Sequence, residues 1–276
     1  MSSSAPVETA VVPVAGRGSR LGPLCGTVPK ELFPLGRSCV LHHVADELES
    51  AGIRRIILVT SPAKPAITHY VERVLRPALD CEIDLAFQGE VPGNGGAILT
   101  GAERAGKGPF LVVWGDEIFL RGSRTQELFD AYLRSGTPTI ALARIGDDDV
   151  SKCGIAVARP LSDGRCRIER ILEKPAPAKT ASRLASVGGF LVDDDLVEVL
   201  RACPPRPDGE VYLSTALSAY AAVAPLDGAV LNCDWYETGS FEGYARTALA
   251  LALQERTITA DAVRACLSRE DQATRQ

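Results

Sequence analysis

Thr9-Ala10-Val11-Val12-Pro13-Val14-Ala15-Gly16-Arg17-Gly18-Ser19-Arg20 is the stretch on which the fold turns. It begins as a nearly unbroken apolar run. Such a run suits a strand buried on both faces of a parallel sheet, where no solvated face asks for alternating polar residues. The strand opens directly into a glycine loop. Without a Cβ, Gly16 and Gly18 let backbone N–H groups come close to a phosphate. A tight turn would use the same two glycines. The dinucleotide fingerprint wants a third glycine where Leu21 stands, and Gly22-Pro23 delays any helix, so a plain dinucleotide fold is a poor match.

Outward from this stretch, strands and helices alternate. Val40 to Ser50 has a helical apolar stripe closed by Gly52, Ile53 to Thr60 is a second buried strand, and Pro65 to Leu75 a second helix. Glu82 to Gln88 (strand), Gly96 to Ala105 (helix), Phe110 to Trp114 (strand), Thr125 to Arg134 (helix) and Thr137 to Ala143 (strand) continue the pattern. The expected fold class is α/β, a doubly wound, mostly parallel sheet with ligands at the carboxyl ends of its strands. Past residue 145 the pattern changes. Cys153 to Arg159 and Arg165 to Leu172 read as strands around an Asp163-Gly164 turn, forming a small added β region. Pro175 to Ala185 is a loop, Ala185 to Val192 is apolar, Glu210 to Ala222 is helical, Val230 to Trp235 a strand and Phe241 to Gln254 a helix. One domain is expected over 1–256, with halves at about 7–145 and 146–256, followed by a helical extension over 257–276.

Composition narrows the class. The chain has 276 residues, 46% hydrophobic and 24% charged, enough for a sizeable core. A net charge of −5 argues against nucleic acid as a partner. No apolar run reaches the ~20 residues of a membrane span. Met1-Ser2-Ser3-Ser4-Ala5-Pro6 lacks a leader pattern, so the expected location is the cytoplasm. The eight cysteines include no Cys-x-x-Cys and are expected as free, buried thiols. His42, His43 and His69 form no metal-binding pattern and read as surface or helix-face residues.

Several residues can carry chemistry. Lysine is scarce, six against twenty-four arginines, yet Lys30 in Pro29-Lys30-Glu31 lies ten residues after Arg20. Together they can neutralise a triphosphate, Arg through its fork and Lys as a point charge. Gly115-Asp116-Glu117 follows the strand ending at Trp114, and Glu237 follows another; two carboxylates are suitable ligands for Mg²⁺. Glu173-Lys174-Pro175 closes a strand and offers a cation for a second phosphate and a hydroxyl acceptor. Gly101-Ala102-Glu103-Arg104-Ala105-Gly106-Lys107-Gly108 mimics a P-loop but ends in Gly and follows a helix, so helix capping accounts for it.

Taken in order, these segments resemble the sugar-1-phosphate nucleotidylyltransferases, most of all the bacterial UTP–glucose-1-phosphate uridylyltransferases. The resemblance rests on Ala10 to Leu21, Pro29 to Leu35, Gln88-Gly89 with Gly93-Asn94-Gly95-Gly96-Ala97, Gly115-Asp116, Glu173-Lys174-Pro175, Val187-Gly188 and Glu237-Thr238-Gly239, and spans residues 9 to about 254. It implies that an NTP, UTP first, reacts with a sugar 1-phosphate, glucose 1-phosphate first, to give a nucleotide-sugar and pyrophosphate by Mg²⁺-assisted in-line attack. It implies Ala15, Gly16, Gly18, Arg20, Lys30, Gln88, Gly93 and Asp116 on the nucleotide side. Glu173, Lys174 and Gly188 fall on the sugar-phosphate side, Asp116 and Glu237 on the metal, and Arg20, Lys30 and Lys174 as the catalytic cations. A homo-oligomer is also implied.

The chain departs from the family pattern at Ser19 (usually Thr), Glu237 (usually Asp), Gly189 (usually larger) and Thr215 (usually Asp). The last two are expected to border the sugar, which leaves another hexose or a cyclitol phosphate open as acceptor. dTTP stays open as donor, and a nucleotide-sugar-binding regulator without turnover is the reading from another class.

Overall fold

The computed structural model describes residues 7–161 and 164–273; Met1–Pro6 and Asp163 of the expected turn lie outside the described residues. The elements in chain order are β1 (Thr9–Pro13), β2 (Pro34–Leu35), β3 (Ser38–Cys39), α1 (Val40–Ser50), β4 (Arg55–Thr60), α2 (Pro65–Tyr70), α3 (Arg76–Ala78), β5 (Glu82–Phe87), α4 (Gly93–Ala105), β6 (Phe110–Val112), β7 (Glu117–Leu120), α5 (Arg124–Ser135), β8 (Thr139–Arg144), β9 (Gly154–Pro160), β10 (Arg165–Glu173), β11 (Leu184–Val192), α6 (Asp194–Ala202), α7 (Leu213–Ala221), β12 (Asp227–Val230), β13 (Asp234–Glu237), α8 (Phe241–Gln254) and α9 (Ala260–Ala273). A π turn over Val71–Leu75 joins α2 to α3.

Among the described residues the main sheet has nine strands in the order β5-β4-β1-β6-β11-β8-β12-β10-β9. β5, β4, β1 and β6 run parallel, as buried runs such as Ala10-Val11-Val12 lead one to expect. Beyond β6 the sheet becomes mixed. β11 returns antiparallel between β6 and β8, and β10 pairs antiparallel with β12 and β9, while β12 lies parallel to β8. The continuous parallel block therefore belongs to the first half of the chain, and β12 with β8 is a further parallel pair beyond it.

Local sequence explains the helices. In α1, Val40, Leu41, Val44, Ala45 and Leu48 form one buried stripe, each large side chain worth roughly 1.5–3 kcal/mol of burial. Side-chain oxygens of Ser123, Asp193 and Ser240 accept N–H bonds at the starts of α5, α6 and α8. The sequence reading missed α6, although Asp193 followed by Leu196, Val197 and Leu200 is a capped, periodic helix signal. The expected strand Val230 to Trp235 is two strands, β12 in the main sheet and β13 in a separate ribbon with β7. β7 is a strand that the sequence reading did not assign. The cysteines are free, but of those expected to be buried only Cys39, Cys166 and Cys233 are; Cys25, Cys81, Cys153 and Cys203 are half-buried and Cys266 is exposed. No described helix is long and apolar enough to cross a membrane.

Candidate active site

The segments that follow β1, β5, β6, β10 and β13 border a cleft of about 1370 Å³. Ala15, Gly16, Gly18 and Arg20 come from the loop after β1, and Lys30 from the short helical turn Lys30–Leu32. Gln88 and Gly93 follow β5, Asp116 precedes β7, Glu173 and Lys174 end β10, and Glu237 ends β13. Gly188 is not a lining residue. It lies one layer behind Trp114 and Glu117, where a Cβ would come within 2.7 Å of the indole and 2.8 Å of the carboxylate.

The ribbon of β7 and β13 brings the two distant acids together. Glu117 stands opposite Glu237, and Thr238 donates both its N–H (2.9 Å) and its hydroxyl (2.8 Å) to the Asp116 carbonyl. Around Gly239 three charged groups converge: the Arg20 guanidinium, the Asp116 Oδ2 and the Glu237 Oε2 lie 3.0, 3.2 and 3.2 Å from where its Cβ would sit. Any side chain there would fill the space between them. The Lys30 ammonium bonds that same Asp116 Oδ2. Glu237 accepts from the Gly239 N–H at 2.7 Å and from the Ser240 hydroxyl. The start of α8 therefore orients its carboxylate.

The electrostatics follow from this clustering. Desolvation works against charge on Asp116, but the Lys30 ammonium, with Arg20 behind it, holds its carboxyl below the usual range. Desolvation also disfavours charge on Lys30, and the carboxylates of Asp116 and Glu31 outweigh it, so its pKa is raised. Glu117 behaves oppositely: burial, with Asp116 adding, pushes its carboxyl up to about 8. Asp116 and Glu237 are hard oxygen donors facing one spot. That set suits a small divalent cation that takes one or two carboxylates and completes its shell with phosphate and water. No group of three or more metal-ligating side chains occurs among the described residues.

On the side of the cleft formed after β5, the Gln88 side-chain amide donates to the carbonyls of Val91 and Gly93, both at 3.0 Å. Both partners are acceptors, so the amide orientation is forced and the Gln88 carbonyl oxygen is left over. At the other end, Lys174 sits at φ 44, a left-handed backbone that L side chains avoid, with its N–H on the Cys153 carbonyl at 3.0 Å. The two departures expected to border the sugar do not line the cleft. Thr215 accepts from Arg206 Nε at 3.1 Å, and Gly189 faces Ala141 and Arg124.

The sequence reading missed Lys64 and Arg124. The Lys64 ammonium is buried on the Glu31 carboxylate (2.9 Å) and the Val14 carbonyl (2.8 Å), tying the glycine loop to the Lys30 segment. The scarcity of lysine was the available signal for it. Arg124 carried none: its burial is visible only in three dimensions.

The nucleotidyl transferase family profile matches residues 9–254. A Methanocaldococcus jannaschii protein provisionally named as a UTP–glucose-1-phosphate uridylyltransferase is 28% identical over 261 residues, covering 87% of this chain and 91% of the other. The UTP–glucose-1-phosphate uridylyltransferase of Streptococcus pneumoniae is 26% identical over 279 residues, covering 92% and 93%. Among solved structures, a UDP-glucose pyrophosphorylase complexed with UDP-glucose superposes with a TM-score of 0.83 at 24% identity, over 90% of this chain and 99% of the other, which shows a shared fold.

Proposed function

The chain belongs to the nucleotidyl transferase family, and on that premise we propose that it transfers the uridylyl group of UTP to glucose 1-phosphate, giving UDP-glucose and pyrophosphate. The relatives named above supply the substrate names. The observation that carries the reading is the convergence of Arg20, Lys30, Asp116 and Glu237 on one point of a cleft that also holds Lys174.

Each residue then has a task. Ala15, Gly16 and Gly18 give the triphosphate a wall without side-chain bulk, and Arg20 and Lys30 neutralise the departing pyrophosphate. The free Gln88 carbonyl oxygen accepts an imide N–H, which uracil and thymine carry and cytosine and adenine do not. Lys174 holds the acceptor phosphate in line, with Glu173 beside it for sugar hydroxyls. Gly188 supports that end from behind. Asp116 and Glu237 would hold Mg²⁺, which when bound supplies charge neutralisation at the phosphate oxygens. Proteins of this kind generally use a divalent metal; the choice of Mg²⁺ is part of the proposal. Lys30 bonds Asp116 within the cluster that would hold the cation, so its charge lies beside the phosphate site.

We read 1–256 as one catalytic unit in the cytoplasm, with 257–276 an appended segment. Exposed Phe241, Leu249 and Leu253 along α8 support self-association. Pyrophosphate release, measured with Mg²⁺ over a panel of NTPs including dTTP and a panel of sugar and cyclitol phosphates, tests the reading. UTP with glucose 1-phosphate is expected to give the highest kcat/KM. Absence of turnover with every pair would overturn it in favour of a binding protein.

A further inference from the structure

Arg124 is 0% exposed, a rare place for a guanidinium, and it touches neither the cleft nor solvent. It starts α5 and reaches to three other elements. One nitrogen bonds the Glu47 carboxylate on α1, another donates to the Gly188 carbonyl at 2.6 Å, and the group stacks over Phe119 of β7, 4.5 Å from the ring centre. Glu47 is itself fixed by the Thr125 N–H and hydroxyl at 3.0 and 3.1 Å.

The other face of the Gly188 peptide is equally held. Its N–H donates to the Glu117 carboxyl at 2.6 Å. Gly188 lies in a bulge of β11, where four residues from Ser186 to Phe190 pass while β8 advances from Leu142 to Ile140. The two ends of the bulge, Ser186 and Phe190, line the cleft. Phe190 packs on Trp114 with ring centres 5.2 Å apart, and both Ser186 and the Glu173 carboxylate border Gly154. The bulge is thus the back wall of the end that holds Glu173 and Lys174.

Gly189 completes the arrangement. A Cβ there would lie 2.8 Å from that of Ala141, and 3.0 and 3.2 Å from the Arg124 Cδ and Cγ. The room left by the missing side chain is filled by the Arg124 stem. The substitution at Gly189 therefore does not widen the sugar pocket; it admits a buried arginine behind it.

We propose that Arg124 is a positioning residue for the acceptor: by gripping the Gly188 carbonyl from a Glu47 anchor, it sets the bulge that carries Ser186 and Phe190 to the sugar-phosphate end. This rests on the assignment of that end to the acceptor in the reaction proposed above. The grip acts on the acceptor wall and leaves the Gln88 and Gly16–Gly18 end untouched.

The experiment compares wild type with Arg124→Met, Arg124→Lys and Gly189→Ala, each checked for folding by circular dichroism, with KM measured separately for UTP and glucose 1-phosphate. Arg124→Met keeps the stem and removes the grip; it is expected to raise the acceptor KM on the order of tenfold, with the UTP KM within twofold. Arg124→Lys, whose ammonium holds one partner, is expected between. Gly189→Ala displaces the stem without removing a charge and is expected to shift the acceptor KM in the same direction. It decides the matter if Arg124→Met fails to fold, as the loss of one partner of a buried ion pair can cause. Folded variants with unchanged acceptor KM, or with both KM values raised alike, overturn the positioning role alone. A wild type inactive with every substrate pair overturns the reaction and this role together.

Discussion

The Lys30 ammonium bonds the Asp116 carboxylate across 86 residues of chain. The pair joins the segment after the glycine loop to the ribbon of β7 and β13, and in the proposed reaction it supplies a cation for polyphosphate and an anion for the metal. Asp116→Asn keeps the shape and removes the charge. Turnover is expected to fall on the order of 10²–10³-fold or more, and Mg²⁺ titration with UTP present should no longer raise the melting temperature. Near-wild-type Mg²⁺-dependent rates would remove Asp116 from the metal site.

Lys174 separates charge from backbone. A cation on a phosphate contributes about 1.5–3 kcal/mol, so Lys174→Ala and Lys174→Gly should both raise the glucose 1-phosphate KM roughly ten- to a hundredfold. At φ 44 glycine is free of the strain that alanine keeps. Lys174→Gly should therefore unfold at higher denaturant than Lys174→Ala, by about 1 kcal/mol. A UTP KM that rises equally would contradict the acceptor role.

Glu117 makes stability depend on pH. Folded, its carboxyl keeps the proton up to about pH 8; unfolded, it releases it near 4.5, the ordinary value for a glutamate. The native state binds more protons in that window, so stability is full at the acid end and declines as pH rises, by at most about 1.4 kcal/mol per pH unit. Glu31, raised by burial against the pull of Lys64, acts in the same sense. Urea unfolding at pH 6 and pH 8 should show a smaller decline for Glu117→Gln than for wild type. An identical decline would mean that Glu117 is ionised in the fold.

Gly96 tests the wall of the nucleotide end. A Cβ there would stand 1.8 Å from the Val91 carbonyl oxygen, the acceptor that orients Gln88. Gly96→Ala should lower stability by about 1–3 kcal/mol through forced backbone movement and raise the UTP KM more than the acceptor KM. Thermal melts and the two KM values check both halves.

Much of this was written in local sequence. The apolar run ahead of Gly16, the stripe of α1 and the Ala/Leu pattern of α8 depend on neighbours a few positions apart, and short-range periodicity reports them. The mixed second half was less legible. β7, four residues long, and β12 carry too few residues to show a period, and the direction of β11 depends on which strands flank it.

Sequence by itself determined the parallel half of the sheet and the residue types for handling polyphosphate: arginine and lysine after the first strand, and carboxylates after two others. Tertiary structure alone decided that Arg20, Asp116 and Glu237 face one point, that Gly189 makes room for Arg124, and that Gly188 stands behind the cleft wall. These are relations between segments tens to hundreds of residues apart. Chain connectivity does not constrain them; only the packing of side chains from different elements into the same volume does.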